Sequence, residues 1–342
     1  AIDGMAIISI ISMVNSFVLI SFLYINANLL KRIQNTTKKI SNFVCVNQKK
    51  RIAMIIIADC GGTKGDWAIA DGGVCLRRVR TGGINPFHQQ PADIRHQLEV
   101  LGASCRDLFS SADVLEVYFY GAGCNAVGSG VMERLLSETL SGYGATLRLH
   151  VASDLLGAAR ALCGNTEGIA CILGTGSNSC LYDGTRIADN TPPLGYILGD
   201  EGSGADLGKH FLHGVLKGIF PTQLRDAFYE AYHTSYAQLI QQIYQQPQAN
   251  RYLATIAPFI HRHIGQQCMA DMVVTEFRRF FADNIRRYQR PDLPVGFVGG
   301  IAHAFAPQLR QAARLEGFQV GTILSAPMPG LLAGLNIQEP SA

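Results

Sequence analysis

The 342-residue chain has few charged residues, and its cysteines are not spaced as a metal or redox motif. Asp, Glu, Lys and Arg together make up 16% of the residues, against roughly 25% in an average protein. Nine cysteines occur, but no two of them form C-x-x-C, and Cys60, Cys75, Cys171 and Cys180 lie in apolar runs. The cysteines are therefore predicted to be buried thiols in a reducing compartment, which favours a cytoplasmic protein.

Acidic residues are almost missing from the first 53 positions, so the formal net charge of +3 is the sum of two unlike parts. Residues 1–53 hold seven basic residues against Asp3 alone, a net charge of +6, which leaves −3 for residues 54–342. A nucleic-acid-binding surface needs a basic patch. The mildly acidic body therefore excludes nucleic acid as its main partner.

The first 53 residues also differ from the rest in composition. Positions 5–30 are apolar enough for a transmembrane helix, with a basic cluster after them, but Ser and Asn interrupt the run. This segment is rich in Ile, Asn, Ser and Lys, whereas the body is rich in Gly, Ala and Arg. The break predicts a non-core extension, such as translated upstream sequence before a start at Met54, and leaves a signal anchor or a peripheral helix as alternatives. A membrane partner is not expected.

From Met54 onward the sequence alternates strand and helix signals, in an order that occurs twice. Three strands joined by Gly turns (54–60, 65–71 and 73–81) precede a helix (91–110), a strand (114–120), a helix (128–141), a strand (146–151) and a helix (154–163). Three short strands recur at 168–190, followed by a helical insertion at about 203–290, a strand (295–300), a helix (301–315), a strand (318–324) and a helix (327–336). The sequence therefore predicts an α/β protein with two domains, 54–166 and 167–342, and a ligand cleft between them.

Gly-rich turns follow the first strand of each copy. Residues 59–64 read Asp-Cys-Gly-Gly-Thr-Lys, and residues 174–178 read Gly-Thr-Gly-Ser-Asn. Glycine lets backbone N–H groups approach a polyanion closely. Neither turn is a Walker A loop or a G-x-G-x-x-G that opens a helix. Each turn alone is typical of an ordinary hairpin, but their recurrence at matching places favours phosphate binding.

Three further segments suggest chemistry. Asp154 follows a strand and opens a helix, as a helix N-cap or as a general base would. The acidic loop 199–204 (Gly-Asp-Glu-Gly-Ser-Gly) suits either a capping segment or a carboxylate that binds a polyol, and Val298-Gly299-Gly300 admits a flat ligand or a phosphate. The histidine pairs 210/213 and 261/263 have metal-ligand spacing, but no adjacent Cys or carboxylate cluster completes either pair, so a metal is not expected there.

In this order the four motifs DCGGTK, GTGSN, GDEGSG and FVGG resemble those of the actin-like ATPase/sugar kinase/Hsp70 superfamily. More narrowly, residues 54–337 resemble the BadF/BadG/BcrA/BcrD ATPase family, whose sugar-kinase branch contains N-acetylglucosamine kinase. The resemblance implies two ribonuclease H-like domains that close over ATP, Mg²⁺ and a sugar, and a homodimer in solution. Residues 1–53 have no counterpart in it.

The resemblance also implies roles for individual residues. Asp59 would organise Mg²⁺ through water, and Asp154 would be the catalytic base. ATP phosphates would bind at Gly61, Gly62, Thr63, Gly174, Thr175, Gly176 and Ser177, adenosine at Gly299 and Gly300, and the sugar at Asn85, Gly123, Asp154 and Asp200. Two departures, Pro192 to Tyr196 before the acidic loop and Pro86-Phe87 after Asn85, put the acyl-amino pocket in doubt.

The reaction predicted from this resemblance is phosphorylation of an amino sugar such as N-acetylglucosamine at its 6-hydroxyl. Glucosamine and N-acetylmuramic acid are alternative substrates. An ATP-driven activase of a radical dehydratase is a second alternative, although the expected cysteine pattern is missing here. A non-catalytic sugar or nucleotide sensor is a third, which the presence of both Asp59 and Asp154 disfavours.

Overall fold

A computed structural model describes residues 31, 32, 34 and 52–339. The chain divides into two compact units, Ala1–Arg51 and Ile52–Ala342. The apolar segment at 5–30 lies outside the described residues. Within the described part, no helix is both long and apolar enough to cross a bilayer.

The first sheet has five strands in the spatial order β3-β2-β1-β4-β5. β1 pairs antiparallel with β2 and parallel with β4, and β5 continues the parallel part. Its central strand is buried on both faces, since Ile56 and Ile57 are both inaccessible to solvent. The strands are β1 (Ala53–Cys60), β2 (Lys64–Asp71), β3 (Val74–Gly82), β4 (Val114–Gly121) and β5 (Thr146–Ser153).

The second sheet repeats this arrangement, in the order β10-β9-β6-β7-β8. β6 pairs antiparallel with β7 and parallel with β9, as β1 does with β2 and β4. The duplicated order predicted from the sequence is confirmed, and with it the α/β fold with two mixed sheets. The strands are β6 (Glu167–Leu173), β7 (Ser177–Asp183), β8 (Ile187–Thr191), β9 (Val295–Val298) and β10 (Val320–Leu324).

Helices connect these strands and fill the segment between β8 and β9. Those of the first half are α1 (Pro91–Ser104), α2 (Arg106–Ser111), α3 (Ala126–Leu140) and α4 (Asp154–Cys163). Between β8 and β9 lie α5 (Gly195–Leu198), α6 (Gly204–Leu216), α7 (Thr222–Tyr232), α8 (Tyr236–Tyr244), α9 (Ala249–Ala254), α10 (Ala257–Arg262) and α11 (Gln267–Phe280). The last three are α12 (Gly300–Ala304), α13 (Ala306–Leu315) and α14 (Met328–Gly334).

Two predicted helices are each broken in two. The helix expected over 91–110 is interrupted at Cys105, whose buried side chain has no glycine or proline beside it to signal a break. The helix expected over 301–315 breaks at the buried Phe305, just before Pro307, which occupies the first turn of α13. Strand β9 also ends at Val298, earlier than expected, because Gly299 turns the chain with φ of 129°.

The helix α4 joins the two halves. It leaves the end of β5, yet its buried Leu155 and Ala159 pack with Ala170 and Cys180 of the second sheet. A Cβ at Gly157 would lie 2.7 Å from Cβ of Tyr120, so the same helix also lies tightly on β4. The first residue of α4 is therefore fixed where the two sheets meet.

Candidate active site

A cleft of about 960 Å³ opens between the two sheets, large enough for a nucleotide and a sugar. All but one of the predicted site residues line it: Asp59, Gly61, Gly62, Thr63, Asn85, Asp154, Gly174, Thr175, Gly176, Ser177, Asp200, Gly299 and Gly300. The exception is Gly123, which lies beneath Asn85. A Cβ at Gly123, where φ is +78°, would lie 2.2 Å from Oδ1 of Asn85.

The first Gly-rich turn joins β1 to β2. The N–H of Gly61 donates to the carbonyl of Lys64 at 3.0 Å and closes the hairpin, so that donor is used within the turn. The N–H groups of Gly62 and Thr63 make no hydrogen bond within residues 52–339. A Cβ at Gly83 would lie 2.4 Å from the nitrogen of Thr63, so Gly83 packs against this peptide. The turn thus offers two free backbone donors to an anion in the cleft.

The second Gly-rich turn joins β6 to β7 and is tied to the start of α6. Its carbonyls at Gly174 and Thr175 accept from the N–H groups of Gly204 and Ala205, at 2.8 and 3.1 Å. In this part of the described chain the N–H groups of Thr175 and Gly176 have no protein acceptor. The helix therefore supports the turn from behind and leaves its donors for the cleft.

Asp200 braces the same turn. Its Oδ1 accepts from the N–H of Ser177 at 3.1 Å, and a Cβ at Gly176 would lie 2.9 Å from Oδ2. Asp200 itself has a φ of +57°, a left-handed conformation that is costly for a residue with a side chain. Burial raises the pKa of this carboxyl, and the N–H of Ser177 opposes that rise. The sequence predicted Asp200 as a sugar ligand, and the structure places its carboxylate against the second turn.

Two carboxylates from parallel strands of the first sheet line the floor of the cleft. Asp59 lies near the end of β1, and Asp154 directly follows β5; β4 separates the two strands. Burial, together with the charges of Asp154 and Asp66, raises the pKa of Asp59 to about 7. Burial also raises the pKa of Asp154, against a hydrogen bond from the N–H of Leu155 at 2.9 Å.

The N-cap alternative for Asp154 is wrong. The N-cap of α4 is Ser153, whose hydroxyl accepts from the N–H of Leu156 at 3.2 Å, and Asp154 is the first helical residue. One oxygen of its carboxylate accepts from Leu155. The other oxygen is not needed to cap the helix, and Asp154 lines the cleft.

At the predicted sugar end, Asn85 is held by its own loop. Its Oδ1 accepts from the N–H of Phe87 at 2.9 Å, and its N–H donates to Oε1 of Gln89 at 2.7 Å. The ring of Phe87 is 71% exposed and meets the ring of His88 edge-on at 5.0 Å. An exposed aromatic residue therefore lies two positions after Asn85 and donates its backbone N–H to the Asn85 side chain.

At the predicted adenosine end, the turn after β9 approaches β6 closely. A Cβ at Gly299 would lie 2.2 Å from the carbonyl oxygen of Leu173, so only glycine fits there. A Cβ at Gly300 would meet nothing within 4 Å. His261 of α10 lines this end and contacts the buried ring of Phe305 edge-on at 5.3 Å. Small and flat surfaces thus border this part of the cleft.

Comparison with solved structures assigns the chain to a family. No family model matches the chain, and no curated protein matches it. Two solved structures that carry the name putative N-acetylglucosamine kinase are similar to it. That of Porphyromonas gingivalis is 43% identical, and the match covers 83% of this chain and 99% of that chain with a TM-score of 0.79. The chain belongs to this N-acetylglucosamine kinase-like family.

The second structure, from Chromobacterium violaceum, is 20% identical over 83% of this chain and 99% of that chain, with a TM-score of 0.55. At that identity the likeness shows the fold alone. It agrees with the two-sheet architecture described above, in which both Gly-rich turns face one cleft.

In this kinase-like chain the structure adds cleft residues that the sequence reasoning missed. Lys64, His88 and His261 line the cleft. Arg251 of α9 donates through Nη2 to the carbonyl of Gly62, in the first Gly-rich turn. Lys64 is the last residue of the first Gly-rich motif, so the sequence does contain a signal for it. Arg251 is 189 positions from its partner, and no local pattern marks it.

One histidine of the pairs lies in an acidic cluster that the sequence did not predict. His210 lies with the buried carboxylates of Asp206 and Glu276, but His213 is not a member of this cluster, so it does not complete the 210/213 pair. Lys209 and Arg279 pair with the two carboxylates at 2.9 and 2.7 Å. Among the described residues this cluster therefore already has compensating cations.

This ionic cluster has a local role. Oδ2 of Asp206 accepts from the N–H of Gly202 at 3.0 Å, and Ser203 caps α6 through the N–H of Asp206. Nδ2 of Asn284 donates to the carboxylate of Glu201 at 3.1 Å. The cluster thus fixes the acidic loop 199–204 and, through it, the position of Asp200.

Proposed function

We propose that the protein is an ATP-dependent kinase of an amino sugar, with N-acetylglucosamine as the expected substrate and the 6-hydroxyl as the acceptor. The observation that carries this proposal is the placement of Asp154 at the floor of a cleft whose walls are two turns with free backbone N–H donors. The 43% identity to the P. gingivalis protein supports the choice of sugar. Within its superfamily we assign the chain to the BadF/BadG/BcrA/BcrD branch.

In the proposed reaction Asp154 accepts the proton of the sugar hydroxyl as its oxygen attacks the terminal phosphorus of ATP. A base is most effective when its pKa lies near the working pH. Burial raises the pKa of Asp154 and so brings it closer to the working pH. The helix α4 fixes the carboxylate in place, so little reorganisation is needed at the moment of transfer.

The two Gly-rich turns bind the phosphates. Free N–H groups at Gly62, Thr63, Thr175 and Gly176 would donate to phosphate oxygens from both sides of the cleft. The donors belong to fixed turns, so they can stabilise charge in the transition state as well as in bound ATP. Adenosine would lie against Gly299 and Gly300.

The carboxylates of the cleft fit a magnesium ion. Oxygen ligands are those that Mg²⁺ prefers. Burial and the nearby charge of Asp154 raise the pKa of Asp59, and a cation beside it would offset both effects. Mg²⁺ bound with ATP supplies charge neutralisation at the phosphates. Asp59 would hold the ion through its water shell, while Asp154 remains free to take the proton.

Asn85 and Asp200 are proposed to bind sugar hydroxyls, with Gly123 supporting Asn85. The carboxylate of Asp200 uses Oδ1 to hold Ser177, which leaves Oδ2 for a hydroxyl. Domain boundaries at 53/54 and 166/167, a cytoplasmic location and a homodimer stay predictions.

The test is ADP release by purified protein with ATP, Mg²⁺ and a panel of sugars: N-acetylglucosamine, glucosamine, N-acetylmuramic acid and glucose. We expect turnover to depend on an amino sugar and to be lost in Asp154→Asn. Asp226→Asn, an exposed carboxyl on α7, is the matched control. Wild-type protein that binds ATP but turns over none of these sugars would favour the sensor. ATP hydrolysis without any sugar would favour the activase.

A further inference from the structure

We propose that Arg251 is a positioning residue for the terminal phosphate of ATP. It acts through the peptide between Gly62 and Thr63, to which it is hydrogen-bonded across the two halves of the protein. This inference rests on the proposed function, since it assigns a further residue to the same site.

The guanidinium of Arg251 is held at two points. Nη2 donates to the carbonyl of Gly62, and Nη1 donates to Oε1 of Gln248 at 2.7 Å. Within residues 52–339 Arg251 forms no ion pair with a carboxylate. Its positive charge is therefore directed at the first turn and is not cancelled by a neighbouring acid.

The peptide that accepts this hydrogen bond is the one that carries a free donor. In a trans peptide the C=O of Gly62 and the N–H of Thr63 point in opposite directions. A cation on the carbonyl therefore holds the N–H pointing away from Arg251, and it also polarises the peptide, which strengthens that N–H as a donor. Thr63 lines the cleft, so this donor is placed to meet a phosphate.

A turn with two successive glycines needs such a restraint. Gly61 and Gly62 have few steric limits, so the next peptide could rotate and present its oxygen to the phosphate. Gly83 covers one side of this peptide, since a Cβ there would lie 2.4 Å from the carbonyl carbon of Gly62. Arg251 fixes the direction of its oxygen. Together the two residues select the orientation that binds an anion.

The helix that carries Arg251 is itself tied to the second turn. A Cβ at Gly208 of α6 would lie 2.1 Å from the carbonyl oxygen of Leu253, so α9 packs against α6 at backbone contact. The start of α6 donates to the carbonyl of Gly174 in the second turn. A continuous path of contacts therefore runs from one turn through α6 and α9 to Arg251 and the other turn. Arg251 sets the spacing of the two turns as well as the orientation of one peptide.

The experiment measures equilibrium binding of ATP and of AMP to Arg251→Ala, Arg251→Lys and wild-type protein, followed by steady-state kinetics. We expect Arg251→Ala to weaken ATP binding about 10- to 100-fold, the range for losing support from a charged hydrogen bond. AMP, which lacks the β- and γ-phosphates, should bind to Arg251→Ala with an affinity within about threefold of that for wild type. Arg251→Lys should restore part of the loss, because it keeps the charge but not the fork geometry.

Arg225→Ala is the matched control, since Arg225 lies in the same helical insertion and pairs only with Asp226 in the described structure. Gln248→Ala, which removes the support of Nη1, should give a smaller loss of the same kind. Gln248→Ala also tests the positioning role of Arg251 if the Arg251→Ala variant does not fold.

Equal weakening of ATP and AMP, or a loss of ATP binding that only follows a lowered melting temperature, would show a purely structural role and overturn the inference. So would ATP affinity within twofold of wild type in Arg251→Ala. The binding arm needs no sugar, so these outcomes are distinct from a wild-type protein that binds ATP and phosphorylates nothing, which would overturn the proposed function instead.

Discussion

The two Gly-rich turns occupy matching places in the duplicated fold, but the structure holds them in different ways. The second turn is supported within its own half, by the start of α6 and by the carboxylate of Asp200. The first turn has Gly83 behind it and receives Arg251 from the other half. The two halves thus share the turns and not their supports, and the first turn depends on the position of both halves.

The halves also differ in chemistry. Asp59, near the end of β1, and Asp154, directly after β5, both come from the first sheet, whereas the helices between β8 and β9 belong to the second half. The first half is therefore expected to carry the reacting groups and the second to carry most of the binding surface. Substitutions at Asp154, Gly83 and Asp200 test that division, in decreasing order of their effect.

Asp154→Asn should lower kcat by about 10²- to 10⁴-fold, the usual contribution of a general base. The amide can still accept the hydrogen bond from Leu155, so folding and ATP affinity should change little. Steady-state kinetics, nucleotide binding and the melting temperature measure the three effects. A kcat within threefold of wild type would remove Asp154 from the chemistry.

Gly83→Ala should impair the first turn far more than Gly61→Ala does. A Cβ at Gly83 would lie 2.4 Å from two backbone atoms of the turn, whereas one at Gly61 would have its nearest neighbour at 3.9 Å. Overpacking of this kind costs about 1–3 kcal/mol of stability. ATP affinity and the free energy of unfolding of the two variants should separate accordingly, and similar values for both would contradict the packing described here.

Asp200→Asn, at the second turn, should have the smallest effect of the three substitutions. The amide oxygen can still accept from Ser177, so the turn keeps its support and loses only the negative charge. We expect kcat/KM for the sugar to fall by about tenfold, the loss of one hydrogen bond to a charged group. Loss of ATP affinity without any change in the KM of the sugar would instead assign Asp200 to the nucleotide.

Local pattern was sufficient to predict the order of strands and helices along the chain and the Gly-rich turns, because apolar runs and glycines at tight turns are visible in consecutive residues. It could not predict contacts between distant segments. Arg251 meets Gly62 across 189 positions, and Glu276 meets His210 only after α6 and α11 have packed together. The break at Cys105, a buried residue with no glycine or proline beside it, likewise has no local signal.

The proposal that Asp154 is the base of a sugar kinase is tested most directly by identifying the product formed from N-acetylglucosamine and ATP. ³¹P and ¹H nuclear magnetic resonance identify this product. We expect a phosphate ester on the 6-oxygen of the sugar, formed by wild-type protein and by Asp226→Asn and not by Asp154→Asn. Inorganic phosphate as the sole phosphorus product besides ADP, or an ester formed equally well by Asp154→Asn, would contradict it.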